Sequence, residues 1–293
     1  MKKCLSCEKP FESEKWVCPI CGFDPPAHGP FRLFAPELSK ENEGFHVEDF
    51  DILDRLEKGH FWFESRNRLL SWALRKYFPS AKTFLEIGCG TGYVLSWIEK
   101  TNPRLRLSGS EIYESALPHA QKNVQNTQLF QMDARRIPYE DEFDLIGIFD
   151  VLEHIQDDEK VLSQMNQAVR KGGGILITVP QHKFLWSDAD KFGLHVRRYE
   201  CRELKEKVEK AGFKVIRSTS FLSFLLPLML ASRLMSGRKI EAKGAKMELD
   251  IHPVLNRLFG WITNLERLFI MAGVRFPFGG SLLMIAQKSD EVG

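Results

Sequence analysis

The stretch Phe84-Leu85-Glu86-Ile87-Gly88-Cys89-Gly90-Thr91-Gly92 runs from apolar residues into three glycines at alternate positions. Its apolar beginning is typical of a buried strand, and residues 93–98 predict a helix directly after it. Glycine tolerates left-handed backbone and lets a ligand approach the main chain closely. The stretch therefore predicts a strand-to-helix turn whose free N–H groups can face a nucleotide-like ligand.

The spacing of the glycines separates two classes of ligand. A dinucleotide site has the pattern G-x-G-x-x-G, and Tyr93 stands where its third glycine would be. The pattern that begins at Glu86 is instead E-x-G-x-G-x-G, which resembles motif I of the class I S-adenosylmethionine-dependent methyltransferases. In that family the loop surrounds the methionine part of the cofactor. The resemblance implies that S-adenosylmethionine contacts Glu86, Gly88, Cys89, Gly90 and Gly92.

Strand-like and helix-like segments alternate after this turn. Three strands are predicted to end at Glu111, Asp133 and Asp150, and three more to span residues 175–180, 213–216 and 281–286. A helix that begins at Asp157 or Asp158 is predicted to end at Gly172-Gly173-Gly174. Right-handed crossovers make this order an α/β fold with a doubly wound, mostly parallel seven-stranded sheet.

Ligands of such sheets bind outside the carboxyl ends of the strands. We expect the cofactor to contact the residues at those ends, namely Glu111, Ile112, Asp133, Ala134 and Asp150. Glu111 can accept hydrogen bonds from both ribose hydroxyls, and a solvated turn residue is the alternative. In related methyltransferases an N-terminal helix covers the cofactor. The resemblance implies that Arg66 meets the cofactor carboxylate, with a surface charge as the alternative.

The stretch Asp150-Val151-Leu152-Glu153-His154-Ile155 resembles methyltransferases that act on oxygen in ubiquinone precursors or saccharides. An oxygen acceptor must lose a proton, and His154 is the nearest side chain with a suitable intrinsic pKa. A histidine that bonds to backbone at a helix start is the alternative. His195, after the fifth strand, is a second candidate for the general base. Arg197 and Arg198 beside it can bind an anionic substrate group or remain solvated.

Four of the six cysteines lie near the N-terminus, as Cys4-x-x-Cys7 and Cys18-x-x-Cys21. Two such pairs can place four thiolates around one tetrahedral Zn²⁺, and so short a segment has almost no core of its own. A redox or metal-free ribbon is the alternative. Because four cysteines leave no open coordination position, the pattern predicts a structural or docking role.

The chain is predicted to have three parts: a zinc-ribbon-like segment at 1–24, a linker at 25–59 and a methyltransferase domain at 60–293. The last part contains an apolar insertion, residues 221–278, before the final strand. Its first apolar run is shorter than the roughly 20 residues needed to cross a bilayer. The insertion can therefore be a lid over an apolar substrate, a dimer interface or a peripheral membrane contact.

The charge and composition of the chain exclude few classes of function. The formal net charge is +2, with 41 basic and 39 acidic side chains, so nucleic-acid binding is not expected. The first residues lack the apolar core of a signal peptide. We therefore expect a cytoplasmic protein that can also contact the inner face of the membrane.

Together these features predict an S-adenosylmethionine-dependent methyltransferase that acts on oxygen of a small-molecule, saccharide or lipid-linked acceptor. An NAD-type oxidoreductase is one alternative, weakened by Tyr93 in the loop. A non-catalytic scaffold that docks through its zinc ribbon is the other. The sequence leaves the acceptor and the oligomeric state open.

Overall fold

A computed structural model of the protein describes residues 1–39, 47–235 and 251–289. The strands are β1 (Lys2–Lys3), β2 (Pro10–Phe11), β3 (Ala27–His28), β4 (Phe31–Leu33), β5 (Thr83–Ile87), β6 (Arg106–Glu111), β7 (Gln128–Gln131), β8 (Phe143–Phe149), β9 (Val169–Pro180), β10 (Phe213–Phe221) and β11 (Ser281–Lys288). The helices are α1 (Val47–Glu57), α2 (Phe61–Tyr77), α3 (Tyr93–Thr101), α4 (Leu117–Asn123), α5 (Asp158–Ala168), α6 (Asp188–Phe192), α7 (Cys201–Lys210), α8 (Leu226–Met235) and α9 (Pro253–Met271).

Nine strands form the main sheet in the order β10-β11-β9-β8-β5-β6-β7-β4-β3. Strand β5 pairs in parallel with both β6 and β8, so the strand order reverses beside it. Strand β11 runs antiparallel to its neighbours β9 and β10. The carboxyl ends of β5, β6, β7 and β8 therefore meet at one edge, next to the reversal. This arrangement confirms the predicted doubly wound, mostly parallel α/β fold.

The central strands are covered on both faces. Every residue of β5 is buried. Met165 of α5 and Leu204 of α7 belong to the core on one face of the sheet, whereas Leu70 of α2 and Leu95 of α3 belong to the core on the other. Burial on both sides explains why these strands are continuous apolar runs rather than alternating ones.

The sheet has two more strands than predicted, and both come from residues 25–59. Strand β4 pairs in parallel with β7, and β3 pairs antiparallel with β4. The prediction of a plain linker was wrong here, because hydrogen bonds to the open edge of β7 and burial of Phe31 and Leu33 stabilise strands of two and three residues. The same segment contributes α1, and its residues 40–46 lie outside the described part of the chain.

The three glycines at 172–174 do not end a helix. Helix α5 ends at Ala168, and β9 begins at the next residue. Gly172 has a φ of +75°, close to the point where β9 changes its register against β8. A side chain at Gly174 would collide with Phe78 and with the carbonyl of Ala286. The glycines therefore permit a bulge and close packing inside a strand.

The N-terminal ribbon, residues 1–24, shares its core with the sheet. The Trp16 ring packs edge-to-face on Phe34, with ring centroids 4.4 Å apart, and on Tyr139, at 5.3 Å. The backbone N–H of Lys3 donates to the carbonyl of Pro138 at 2.9 Å. These contacts join the ribbon to the β7 side of the sheet. Although the ribbon is small, its apolar side chains are therefore part of a hydrophobic core.

The insertion, residues 221–278, contributes α8 and α9. Helix α9 packs on α2, where the rings of Phe61 and Phe259 meet edge-to-face at 5.3 Å. The Asn256 side chain accepts from the backbone N–H of Phe61 and donates to the carbonyl of Gly59, both at 2.8 Å. Residues 236–250 of the predicted insertion lie outside the described ranges. Among the helices in those ranges, none is long and apolar enough to cross a membrane.

Candidate active site

A cavity of about 1200 Å³ opens at the carboxyl ends of the central strands. Nearly all of the residues predicted to bind cofactor line it, namely Arg66, Glu86, Gly88, Cys89, Gly90, Glu111, Ile112, Asp133, Ala134 and Asp150. Both predicted catalytic histidines, His154 and His195, line it too. The fold therefore brings together in one cavity residues that are up to 129 positions apart in the chain.

Gly92 is the exception, because it does not line the cavity. It precedes α3 with a left-handed φ of +75°. A Cβ atom there would lie 3.0 Å from Cα of Ala120 in α4. Gly92 thus serves the turn and the approach of two helices rather than contact with a ligand, a distinction that the spacing of the glycines could not make.

The turn itself needs Gly88 for two reasons. Its φ is +71°, and a side chain there would collide with that of Val151, just after β8. Gly90 also has a positive φ, +50°, but no described atom lies within 4 Å of the position of its missing Cβ. The space beside Gly90 thus leaves the main chain open to a ligand.

Glu111, at the end of β6, is held by the backbone. One carboxylate oxygen accepts from the N–H of Gly90 at 3.0 Å, and the other accepts from the N–H of Ile112 at 2.7 Å. Burial raises the pKa of Glu111, and these backbone donors oppose the rise. The fixed carboxylate retains lone pairs with which it can accept hydrogen bonds from ligand hydroxyls.

Glu86, Arg66 and Asp150 form the charged part of the cavity. The Arg66 guanidinium donates to Asp150 at 2.6 Å, and the Thr178 hydroxyl donates to the same oxygen at 3.0 Å. Burial raises the pKa of Glu86 well above its usual range, although Arg66 opposes the shift. Oε2 of Glu86 and Nε of Arg66 are buried without a hydrogen-bond partner among the described residues. These two orphaned groups fit the ammonium and carboxylate of an amino-acid ligand such as S-adenosylmethionine.

One residue of the cavity, Glu57, had no signal in the sequence. It is the last residue of α1, which lies in the segment predicted to be a linker. The Thr91 hydroxyl donates to its carboxylate, and burial raises the pKa of Glu57 to about 7. Only the packing of α1 over the glycine turn places this carboxyl group beside the cofactor residues.

A second group of titratable residues lies beside Asp150. Nδ1 of His195 is 2.9 Å from Oδ1 of Asp190, and Nε of Arg198 donates to the same oxygen at 2.7 Å. Asp190 is fully buried, and hydrogen bonds from His195 and Arg198 outweigh its burial, so its pKa is well below the usual range. Sequence reasoning missed Asp190 because α6 has no motif that marks it.

The two predicted catalytic histidines contact each other. The rings of His154 and His195 are perpendicular, with centroids 4.7 Å apart. Burial, with the neighbouring His195, lowers the pKa of His154 to about 4, so this imidazole is neutral at pH 7 and a weak base. Nε2 of His195 lies 3.9 Å from the carboxylate of Glu153. Neither oxygen of that buried carboxylate has a hydrogen-bond partner from another described residue.

The arginines beside His195 are engaged with the protein itself. Arg197 pairs with Asp158 at 2.5 Å and donates to the carbonyl of Gln156. Arg198 lines the cavity, but its guanidinium holds Asp190 and the carbonyl of Gln181. These contacts therefore do not indicate that the two arginines bind an anionic substrate group.

Two sets of side chains in the described ranges can hold a metal ion. The thiol groups of Cys4, Cys7, Cys18 and Cys21 lie together, with Sγ atoms of Cys4 and Cys21 3.5 Å apart and those of Cys7 and Cys18 3.8 Å apart. A tetrahedron with Zn–S bonds of about 2.3 Å has edges of about 3.8 Å, so the cluster fits Zn²⁺. The second set is Glu153, His154 and His195, whose ligand atoms lie within 4.8 Å of one another.

Part of the cavity lining is apolar and comes from the insertion. The insertion contributes Leu222, Leu225, Leu228, Met229 and Phe259, which we call the apolar wall. The insertion therefore forms part of the site, as one of its three predicted roles requires.

Comparisons with known proteins agree with this geometry. Residues 53–218 match a family described as a methyltransferase domain. A Mycolicibacterium smegmatis protein named "Probable S-adenosylmethionine-dependent methyltransferase" is 26% identical over 164 residues, 55% of this chain and 62% of the relative. The malonyl-[acyl-carrier protein] O-methyltransferase of Bacillus cereus is 29% identical over 118 residues, 39% of this chain and 44% of the relative. The chain thus spans less than two thirds of the length of these relatives.

A solved structure supports the fold. Phosphoethanolamine N-methyltransferase 2 of Haemonchus contortus, in complex with S-adenosyl-L-methionine, superposes with a TM-score of 0.53 at 17% identity. The superposition covers 85% of this chain and 61% of that protein. At this identity the likeness concerns the fold alone.

The fold and the residues that line the cavity are those expected of a methyltransferase domain. Because the match to residues 53–218 covers more than half of the chain, the protein belongs to the methyltransferase domain family. This assignment favours a methyltransferase over the first alternative, a dinucleotide-dependent oxidoreductase. The relatives include both the O-methyltransferase above and the phosphatidylethanolamine N-methyltransferase of Cereibacter sphaeroides, 31% identical over 100 residues, 32% of this chain and 48% of the relative. The acceptor atom is therefore a separate question.

Proposed function

We propose that the protein transfers a methyl group to an oxygen atom of an apolar or lipid-linked acceptor. The observation that carries this proposal is the cavity itself, which has His195 and its partner Asp190 at one side and the apolar wall of the insertion at another. An acceptor with an apolar body and a hydroxyl group fits such a cavity, because each part meets a side chain of matching chemistry.

The cofactor roles follow from the described contacts. Glu111 is the acceptor for the ribose hydroxyls, since its carboxylate is fixed by the N–H groups of Gly90 and Ile112. Glu86 and Arg66 bind the amino-acid part of the cofactor through their unpartnered atoms. Asp133, with Ala134 beside it, lines the next part of the cavity; its carboxylate accepts from the backbone N–H of Arg135 at 2.9 Å.

The protein side chains have two chemical tasks in this reaction. S-adenosylmethionine supplies, when bound, a methyl group on a cationic sulfur that leaves readily. The enzyme then has to align the acceptor and remove its proton. His195 takes that proton, and Asp190 is a positioning residue that orients the imidazole through Nδ1. His154, neutral at pH 7, packs against His195 and limits its rotation.

The acceptor can be found by comparing metabolites and lipids from cells with and without the protein, supplied with an isotope-labelled methyl donor. We expect a labelled O-methyl product with an apolar chain or ring. A labelled N-methyl product would contradict the assignment to oxygen.

Variants of the two histidines separate their roles. With the identified acceptor, His195→Gln should lower kcat by about 100-fold or more, because proton removal is lost. Asp190→Asn should lower kcat less and change the pH profile, whereas His154→Gln should have the smallest effect. Cofactor affinity should stay within about threefold in all three, which calorimetry can check. Activity that depends on added Mg²⁺ or Mn²⁺ would instead assign Glu153, His154 and His195 to a bound cation.

We also propose that Cys4, Cys7, Cys18 and Cys21 bind one structural Zn²⁺. Elemental analysis should find about one zinc per chain. Cys18→Ser should lose the metal, while the control Cys201→Ser should keep it. Fully reduced wild-type protein without metal would contradict the proposal.

A further inference from the structure

Helix α9 has two faces of different character. Its inner face packs on the protein through Thr263, Glu266 and Ile270, all buried. Its outer face is an apolar stripe at helical spacing, made of Val254, Leu258, Trp261, Leu265 and Leu268. Trp261 is 79% exposed and Leu265 is 51% exposed, so no described residue covers the centre of this stripe. We refer to these five residues as the α9 face.

The segment that carries the α9 face is basic. Residues 251–278 contain a single carboxylate, Glu266, and three arginines, Arg257, Arg267 and Arg275. Glu266 is buried and accepts from the backbone N–H groups of Ser223 and Phe224, just before α8, the nearest at 3.0 Å. It therefore does not offset these charges at the surface. Arg257 and Arg275 are exposed. An apolar stripe with a basic rim matches the chemistry of an anionic lipid surface.

The helix that carries the α9 face also forms part of the cavity wall. Phe259, on the inner side of this helix, lines the cavity and packs on Phe61. Leu228 of α8 also lines the cavity and is 54% exposed, so it connects the apolar wall with the outer surface. An acceptor that resides in a bilayer could therefore enter without its apolar part crossing water.

We propose that the α9 face binds an anionic lipid bilayer and that the cavity receives its acceptor from that bilayer. The second half of this inference rests on the proposed function; the first half does not. A second copy of the chain is the competing occupant. Isologous pairing of this face would bring like-charged arginine rims together, which the charges disfavour. A tryptophan at the centre of the face also suits the interface between lipid and water.

The test is co-sedimentation of the full-length protein with vesicles of phosphatidylcholine alone or with about one third phosphatidylglycerol. We expect preferential binding to the anionic vesicles, weakened by salt because the basic rim is screened. The double variant Trp261→Ser, Leu265→Ser should bind these vesicles at least about tenfold more weakly. The matched control is Phe184→Ser, which removes an aromatic ring that is 59% exposed and lies outside the α9 face. It should bind within about twofold of the wild type.

A second variant tests the proposal without changing the apolar residues, so that weaker vesicle binding does not result from loss of folding. Arg257→Gln, Arg275→Gln leaves every apolar contact in place and should remove most of the preference for anionic vesicles, about tenfold or more. Calorimetry with S-adenosylmethionine reports independently that each variant is folded. If the wild type fails to bind the cofactor, the proposed function fails, and the vesicle result still judges the α9 face.

Three outcomes would overturn the proposal. The first is wild-type protein that does not prefer anionic vesicles. The second is a Trp261→Ser, Leu265→Ser variant that binds them as the wild type does. The third is a wild-type dimer in sedimentation velocity that this variant converts to monomers, because the α9 face would then be occupied by a second copy.

Discussion

At the scale of single residues, Gly88 and Gly90 offer a matched pair. Both have positive φ, but only Gly88 faces a neighbour, the side chain of Val151, where its Cβ would be. Gly88→Ala should lower the free energy of unfolding by about 3 kcal/mol, from left-handed strain and overpacking together. Gly90→Ala should cost only the strain, about 1–2 kcal/mol. Urea denaturation without cofactor measures both, and equal losses would contradict the assigned contact.

Glu86 should lower the stability of the cofactor-free protein and strengthen its binding of the cofactor. Its folded pKa is raised, mainly by burial, so above the unfolded pKa of about 4.3 the folded state holds a proton that the unfolded state has released. Stability attributable to Glu86 is therefore present at low pH and is lost as pH rises toward the folded pKa. Glu86→Gln should thus stabilise the cofactor-free protein more at pH 8 than at pH 5.

Denaturation at the two pH values tests this prediction, with the exposed Glu12→Gln as the control that should show no such difference. The same Glu86→Gln variant should bind S-adenosylmethionine about tenfold or more weakly, because a charge-assisted contact is lost. A variant that is less stable at pH 8 than the wild type would show that Glu86 is not the buried, destabilising acid described above.

At the scale of elements, the residues just after β4 are tied to the cofactor site by one side chain, and the N-terminal ribbon packs on them through Trp16 and Phe34. The Gln131 amide donates to the carbonyls of Ala35 at 2.7 Å and Ile112 at 3.1 Å. Its oxygen accepts from the N–H of Ala35 at 2.9 Å. Ile112 follows Glu111, the proposed ribose acceptor. The two short strands at the sheet edge are thus integrated with the cofactor site, although the sequence predicted a linker there.

Loss of zinc should therefore also weaken cofactor binding. Cys18→Ser should lower the free energy of unfolding by about 3 kcal/mol or more, because Trp16 loses its packing on Phe34 and Tyr139. Cofactor affinity should fall in parallel. Chemical denaturation and calorimetry measure these effects, with Cys201→Ser as the control. If the zinc-free variant keeps the stability and affinity of the wild type, the zinc-bound ribbon contributes neither to folding stability nor to cofactor binding.

At the scale of the whole molecule, cofactor binding should be linked to the order of the chain just after β4 at the edge of the sheet. S-adenosylhomocysteine at 100 times its Kd should raise the free energy of unfolding by about 2.7 kcal/mol. Hydrogen exchange should then slow at Gly90 and also at Phe34 and Ala35, which Gln131 connects to the site. A nicotinamide dinucleotide should slow neither. Protection confined to the glycine turn would contradict the coupling.

Much of the site could be predicted from the sequence because its signals are local. The residues Glu86, Gly88 and Glu111 belong to short patterns in which a strand ends at a turn, and parallel strands place such ends at one edge. Asp190 and Glu57 carry no comparable pattern, and the stretch Asp150–Ile155 did not mark Glu153 as a buried carboxylate of the site. Their importance depends on burial and on partners far away in the chain, and single-sequence spacing contains neither.

The sequence by itself determined the class of fold, the cofactor class and the four-cysteine cluster, because each depends on spacing within a few residues. Only the tertiary structure decided that the strands at the sheet edge replace a linker, that Gly92 packs against α4 and that the glycines at 172–174 lie inside β9. Those outcomes depend on which hydrogen-bonding edge or neighbouring surface is close in space. Local propensity is too weak to decide such contacts, whereas burial and pairing in the folded chain do.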